Sequence, residues 1–302
     1  MKTIFKLIIG LVIFLVFATI CLVVTGFILI NMTPNKLKVG NKEVINGKTC
    51  NDLGIGDVKI KTMISDFKDI KDKKNVVTNP IDETKAITEL TPTYTKLGLV
   101  TDSQIDFEEL FTTSISNSNT YYYEASDTSI AYILNNSIQY FTGSSETITN
   151  YKFDIAETSF YGTKKEMRVV YRVDISEFKN KLEKTIPSFV SRFLGIPKEV
   201  HLVCYYGVNV DTNGKLELTY KNIYLNDVDT PFSNAILKSV STEDFTLEEY
   251  GALLGDAIEE AVFFLGKIGT ASTNTSGEII SGSESFGIDG YSNGKISLIC
   301  GN

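Results

Sequence analysis

The stretch EMRVVYRVDIS, residues 166–176, carries its apolar side chains on alternate positions. Met167, Val169, Tyr171, Val173 and Ile175 fall on one parity. Glu166, Arg168, Arg172 and Asp174 fall on the other, and Val170 is the exception. A strand alternates faces with a period of two, so this segment presents one greasy face and one charged face. The greasy face covers either an ordinary protein core or the lining of a groove that holds something apolar.

The flanking sequence repeats the pattern. In TNYKFDIAETSFYGTK, Tyr151, Phe153 and Ile155 alternate with Lys152 and Asp154, and a turn at Gly162 leads into 166–176, which predicts a hairpin. A second hairpin follows. Val200, Leu202, Cys204, Tyr206, Val208 and Val210 share one face, and Asn213-Gly214 suits a positive-φ turn. Leu216, Leu218 and Tyr220 are in phase on the return strand, then Ile223 and Leu225 switch parity. That switch near Lys221-Asn222 predicts a β-bulge.

Helical spacing separates the strands. Ile130, Ile133, Leu134, Ile138 and Phe141 lie on one face of a helix capped by Ser126 or Asp127, after a strand at TYYYEAS. A helix over 177–194 is broken by Pro187. TPFSNAILKSV is a short helix. TLEEYGALLGDAIEEAVFFLGKIG is a longer one, with Leu247, Leu254, Ile258, Ala261 and Leu265 on its stripe. GKISLIC reads as a last strand after a Gly/Ser/Thr-rich loop over 269–294. The fold class is α+β, an antiparallel sheet covering helices on one face.

Before the body, residues 7–30 carry no charged side chain. As a helix they would span about 36 Å. The hydrocarbon core is about 30 Å thick, so a tilted single span fits. A cleaved signal peptide has a shorter apolar region with small residues at the cut site. This run is longer and no such site follows it, so it reads as a signal anchor. Lys2 and Lys6 favour a cytoplasmic N-terminus over residues 1–6, while Lys36, Lys38, Lys42 and Lys48 pull the other way. No second span returns the chain, and the body is rich in β pattern, Ser and Thr. The body is therefore expected outside the cytoplasm, at the cell membrane.

Residues 31–57 are polar and Gly/Asn/Lys-rich and read as a stalk. Residues 58–119 read as a connecting region: an amphipathic helix over 58–70, an extended piece at NPIDETKAITELTPTY and a helix opening at Thr101 or Asp102. The α+β domain occupies 120–302.

Composition narrows the function. The chain has 302 residues, is 43% hydrophobic and carries a net charge of −8, so it buries a sizeable core. Beyond the anchor there are 27 bases against 37 acids, or −10. An acidic body repels phosphate backbones, which argues against nucleic acid as a partner. It also argues against general electrostatic binding of the body to anionic lipid. Cys21 sits in the anchor. Cys50, Cys204 and Cys300 leave room for one disulfide, Cys50–Cys300 or Cys204–Cys300, or for small buried thiols.

No catalytic constellation is legible, and no cofactor is expected. His201 is the sole histidine, and its parity places it opposite the apolar face, at the surface. There is no zinc spacing, P-loop, dinucleotide fingerprint or nucleophile elbow. The acid pairs Glu108-Glu109, Glu248-Glu249 and Glu259-Glu260 adjoin helical stripes and read as solvated faces. Asn135 and Asn274 open glycosylation sequons. Tyr121 to Tyr123 are consecutive, and Tyr151, Tyr171, Tyr206 and Tyr220 join apolar strand faces. Tyrosine suits both a core and a lipidic boundary.

An anchor and stalk come first, then the capped helix SDTSIAYILNNSI and the hairpin NYKFDIAETSFYGTKKEMRVVYRVDIS. The strand NGKLELTYKNIYLN follows, ending in LND before TPFSNAILKSV. This order resembles the YpmS family of membrane-anchored proteins from low-GC Gram-positive bacteria and, more distantly, tubular lipid-binding domains. The similarity covers roughly residues 120–240. It implies a curved antiparallel sheet wrapped along a helix, with an apolar groove able to hold an acyl chain. It implies no catalytic residues. The groove-facing candidates are the alternating positions Met167, Val169, Tyr171, Val173, Leu202, Tyr206, Leu216 and Leu218. The expected function is noncovalent binding of an envelope lipid or lipid-linked polymer. The alternatives are an envelope interaction or scaffold protein, with the helix at 246–268 as partner face, and an unrecognised hydrolase.

Overall fold

A computed structural model of the chain describes residues 31–45, 47–73, 75–96, 98–101, 104–106, 121–142, 153–161, 164–174, 176, 197–210, 216–240 and 246–265, with short strand pieces at 267–268, 271–273, 279–281, 291–292 and 295–300. In chain order the first half contains β1 (Glu43–Ile45), β2 (Lys48–Thr49), α1 (Ile60–Asp72), α2 (Glu83–Lys96), β3 (Val100–Thr101), β4 (Gln104–Ile105), β5 (Tyr121–Ser126) and α3 (Asp127–Thr142). Then come β6 (Phe153–Tyr161), β7 (Glu166–Asp174), β8 (Glu199–Val210), β9 (Leu216–Leu225), α4 (Pro231–Val240) and α5 (Leu247–Leu265). The last pieces are β10 (Lys267–Ile268), β11 (Ala271–Thr273), β12 (Ile279–Ser281), β13 (Tyr291–Ser292) and β14 (Lys295–Cys300). Mixed helix and antiparallel sheet is the α+β class expected.

The main sheet runs β6-β7-β8-β9, all antiparallel and in sequence order. Register follows parity. Met167 stands opposite Tyr206, Val169 opposite Cys204 and Tyr171 opposite Leu202, so the greasy faces of neighbouring strands form one surface. The bulge expected near Lys221 is present: Tyr206 faces Tyr220 while Tyr205 faces Asn222, which leaves Lys221 as the extra residue. It keeps Leu216, Leu218, Ile223 and Leu225 on the same side despite the parity switch. A second bulge at Ala156 offsets Ile155 from Glu157 in β6.

Helices close the greasy face. α3 packs on β6, and α5 lies along β9. Ile130, Ile133 and Leu134 from α3, Phe232 and Ile236 from α4, and Tyr250, Leu254 and Ile258 from α5 share one core with the inner strand residues. α3, α4 and α5 each start on a side-chain cap. Ser126 Oγ accepts the Ser129 amide of α3 at 3.3 Å. Thr230 and Ser233 cap α4 reciprocally, at 3.2 and 2.9 Å. Thr246 and Glu249 form the same kind of box on α5, at 3.2 and 2.6 Å.

Several expectations change. The segment 31–57, read as a stalk, is built into the body: Cys50, Leu53 and Ile55 are buried in the main core. The Asn35 amide donates to the Gly56 carbonyl at 3.0 Å, and Lys48 Nζ reaches the Lys238 carbonyl at 2.6 Å. Its apolar residues are too few and too irregular to show a period, so sequence pattern missed it. The piece read as extended at 79–94 becomes α2 from Glu83 on, despite Pro92. Asp82 caps it through the Lys85 amide at 2.9 Å, and Ala86, Leu90 and Tyr94 form a fully buried stripe. Thr84 and Thr91 carbonyls accept Thr88 and Thr95 hydroxyls around the proline. Where a helix was expected to open at Thr101 the chain forms the small hairpin β3-β4, and the rest of that expected helix, from residue 107 on, lies outside the described residues.

β14 is the last strand expected, and it pairs antiparallel with β5. Within the Gly/Ser/Thr-rich stretch, β11 and β12 pair as a hairpin. Cys50 and Cys204 are buried thiols, so neither disulfide is formed. The anchor at 7–30 and the helix at 177–194 lie outside the described residues. Among the described residues no helix is long and apolar enough to cross a membrane.

Candidate functional site

All eight groove candidates share the inner face of the sheet, and all eight are core. Met167, Val169, Val173 and Tyr206 are completely buried, and Leu218, the most exposed, reaches 8%. What covers them is the chain itself. α5 rests on the rings of Tyr220 and Tyr206 through Gly251 and Gly255. A Cβ at Gly251 would stand 2.1 Å from the Tyr220 ring, and one at Gly255 would stand 3.0 Å from that of Tyr206. Two glycines four apart therefore make a flat helix face, and only that face lets the axis come this close.

Tyr206 donates its hydroxyl to the Gly251 carbonyl at 3.1 Å. Glu259 of α5 accepts the Leu218 amide at 2.5 Å. Among the described residues β9 is an edge strand of the sheet, so this bond also covers a strand amide on that edge. Burial raises the Tyr171 and Tyr206 phenols far above their ordinary range and pushes the Cys204 thiol up to about 12. None of these groups is poised as a nucleophile or base at neutral pH.

The outer face holds a feature that pattern reading passed over. The chain between α1 and α2 crosses it as a strap. Val76 packs with Ala156, Val170 and Val203 in a second small core, which is why Val170 breaks the polar parity of β7. Beneath the strap, Arg168 donates to Glu157 at 2.5 Å, with side-chain exposures of 5% and 0%. Glu157 also takes the Thr78 and Asn79 amides at 2.5 and 2.9 Å, and Arg168 reaches the Val76 carbonyl at 2.7 Å. Burial acts to raise the Glu157 carboxyl, but those amides and Arg168 outweigh it and the net shift is downward. Lys73 Nζ bonds the Asp227 carbonyl at 3.1 Å, at the β9 side of the strap.

The remaining sequence candidates disperse. His201 is half-buried rather than at the surface; its amide bonds Asn226 and its ring lies 3.9 Å from Glu199. Burial lowers its pKa. Asn135 clasps the Ile155 backbone through both amide atoms, at 2.8 and 2.6 Å, a structural task that a glycan would break. Glu248 and Glu249 open α5, exposed, with Glu249 spent on the cap. The side chains of Tyr121 to Tyr123 and Tyr151, the Glu108-Glu109 pair and Asn274 lie outside the described residues. Among the described residues no group of three His, Cys, Asp or Glu side chains is placed to hold a metal ion.

The described body is thus an α+β domain with a closed, helix-covered sheet. Comparison of the chain with protein-family models, curated proteins and solved structures found no match.

Proposed function

We propose that this protein is a membrane-tethered interaction module of the cell envelope, noncatalytic, with its body outside the cytoplasm. The observation that carries the reading is the closure of the greasy face. The eight inner residues are no more than 8% exposed, so the apolar surface is spent on folding. What remains outside is mainly polar and charged. Among the described residues the large exposed hydrophobics are limited to Ile87 and Tyr161, at 37% and 40%. The partner face is the outer side of α5, where Glu248, Ala252 and Asp256 are exposed at a spacing of four. A small residue between two acids suits a partner with a basic surface.

A second reading is favoured by the glycine contact. α5 meets the sheet without interlocking side chains at Gly251 and Gly255, so its lifting uncovers Tyr206, Leu218 and Tyr220 together. An acyl chain of an envelope lipid or lipid-linked polymer would enter there noncovalently, contributing roughly 0.8 kcal/mol per buried methylene.

Affinity purification of the full chain from envelopes, before and after delipidation, separates the two. The interaction reading expects a protein that is retained after delipidation and lost with Glu248→Lys and Asp256→Lys combined. Recovery of lipid alone, insensitive to the α5 charges, favours the second reading.

A further inference from the structure

Charge is not spread evenly along this acidic chain. Residues 31–75 contain ten lysines against six acids, a net of +4, while residues 76–302 carry 17 bases against 31 acids, a net of −14. The basic part is the part that follows the apolar run directly, and it is folded from its first residues. The Met32 carbonyl accepts the Ile60 amide at 3.0 Å, and Thr33 is 6% exposed. The apolar run ends at Ile30.

Two residues of extended chain reach about 7 Å. The headgroup layer on each side of a bilayer is about 5–8 Å deep. If residues 7–30 span the membrane, no free linker lifts the body off that layer. The bond between Met32 and Ile60 also brings the start of α1 to the exit point, so Lys59 and Lys61 stand beside it with Lys36 and Lys38. All four are exposed. Asp57 is the acid among them, and it accepts a hydrogen bond from Asn35 at 2.9 Å.

We propose that Lys36, Lys38, Lys59 and Lys61 form a basic collar around the anchor's exit that seats the body on anionic lipid headgroups. The collar rests on the reading of 7–30 as a span. The occupant is the bilayer surface itself, because the chain places these lysines within a Debye length of it. Each lysine held near an anionic leaflet strengthens the attachment roughly fivefold. The strongly acidic remainder is repelled by the same surface, so the two charges orient the body with α1 and the 31–57 segment down.

The test uses the full chain in nanodiscs of phosphatidylcholine, with and without phosphatidylglycerol. A water-soluble amine reagent is applied, and labelling rates are read at each lysine by mass spectrometry. Lys85, exposed at 55% on α2, is the internal reference. The expected result is a fall of at least about threefold at the four collar lysines in the anionic discs, reversed by high salt, with Lys85 unchanged. Equal rates in both discs, from a chain that resists alkaline extraction from membranes, would overturn the collar and leave the anchor standing. A chain released by alkali would overturn the anchor, and the collar with it.

Discussion

Arg168 and Glu157 form an ion pair at 2.5 Å that is shut away from solvent on the outer face of the sheet. Its position explains more than its energy does. Pairing two desolvated charges is close to neutral against an apolar replacement, whereas leaving one alone is costly. The pair fixes where the strap at 75–79 crosses the sheet, because each partner also holds strap backbone.

Arg168→Met alone is therefore expected to cost about 3–5 kcal/mol of unfolding free energy, since it strands the Glu157 carboxylate. Glu157→Leu combined with Arg168→Met recovers the part of that loss due to the stranded charge, but not the bonds to the Thr78 and Asn79 amides and the Val76 carbonyl. Urea titration followed by tyrosine fluorescence reads both. Because the folded Glu157 pKa is depressed, its contribution is fully present above the ordinary carboxylate value of about 4.3 and is lost as pH falls through the folded value.

Asp66 gives the opposite pH response. It lies in α1 and takes the Phe232 amide and the Thr230 hydroxyl at the start of α4, while its Oδ2 is buried with no hydrogen-bond partner among the described residues. Burial raises its pKa more than those bonds lower it. The folded state thus holds the proton more tightly than the unfolded chain. Its stabilising effect is present below the ordinary value of about 3.9 and is lost as pH rises through the folded value. Asp66→Asn is expected to flatten stability between acid and neutral pH. Asp66→Ala is expected to cost about 1 kcal/mol below that window, by removing the cap contact, and less at neutral pH.

The α5 contact is tested at its glycines. Alanine gains about 1 kcal/mol over glycine in a helix. At Gly251 the added Cβ would stand 2.1 Å from the Tyr220 ring, and overpacking of that kind costs about 1–3 kcal/mol. Gly251→Ala is expected to destabilise the protein, whereas Gly255→Ala, whose nearest atom is at 3.0 Å, comes out near neutral. Equal stabilisation by both substitutions, measured by urea denaturation, would mean that α5 does not lie where it is described.

The four strands were legible because each turns an apolar face inward and a mostly polar face outward, so a period of two is written into β7, β8 and β9 and into β6 as far as its bulge at Ala156. The bulge was legible for the same reason, as a slip in that period at Lys221. The face itself was readable, but not what covers it. Gly251 and Gly255 look like helix weakeners until Tyr220 and Tyr206 are seen beneath them. The strap left one trace, Val170 on the charged side of β7, and that residue has no meaning without Val76 opposite it. Asn135 reads as a sequon until its clasp on Ile155 is known. The 31–57 segment was missed because Cys50, Leu53 and Ile55 follow no period, and turns rather than helices or strands bring them to the core.

The central claim, that the greasy face is closed by the chain's own helices, is tested most directly by native mass spectrometry. A protease site flanked by a flexible linker, inserted between Ile30 and Asn31, would release the folded body from membranes without detergent. The account predicts the bare mass of residues 31–302, with no lipid retained. A stoichiometric lipid adduct on the released body would contradict it and place a ligand between α5 and the sheet.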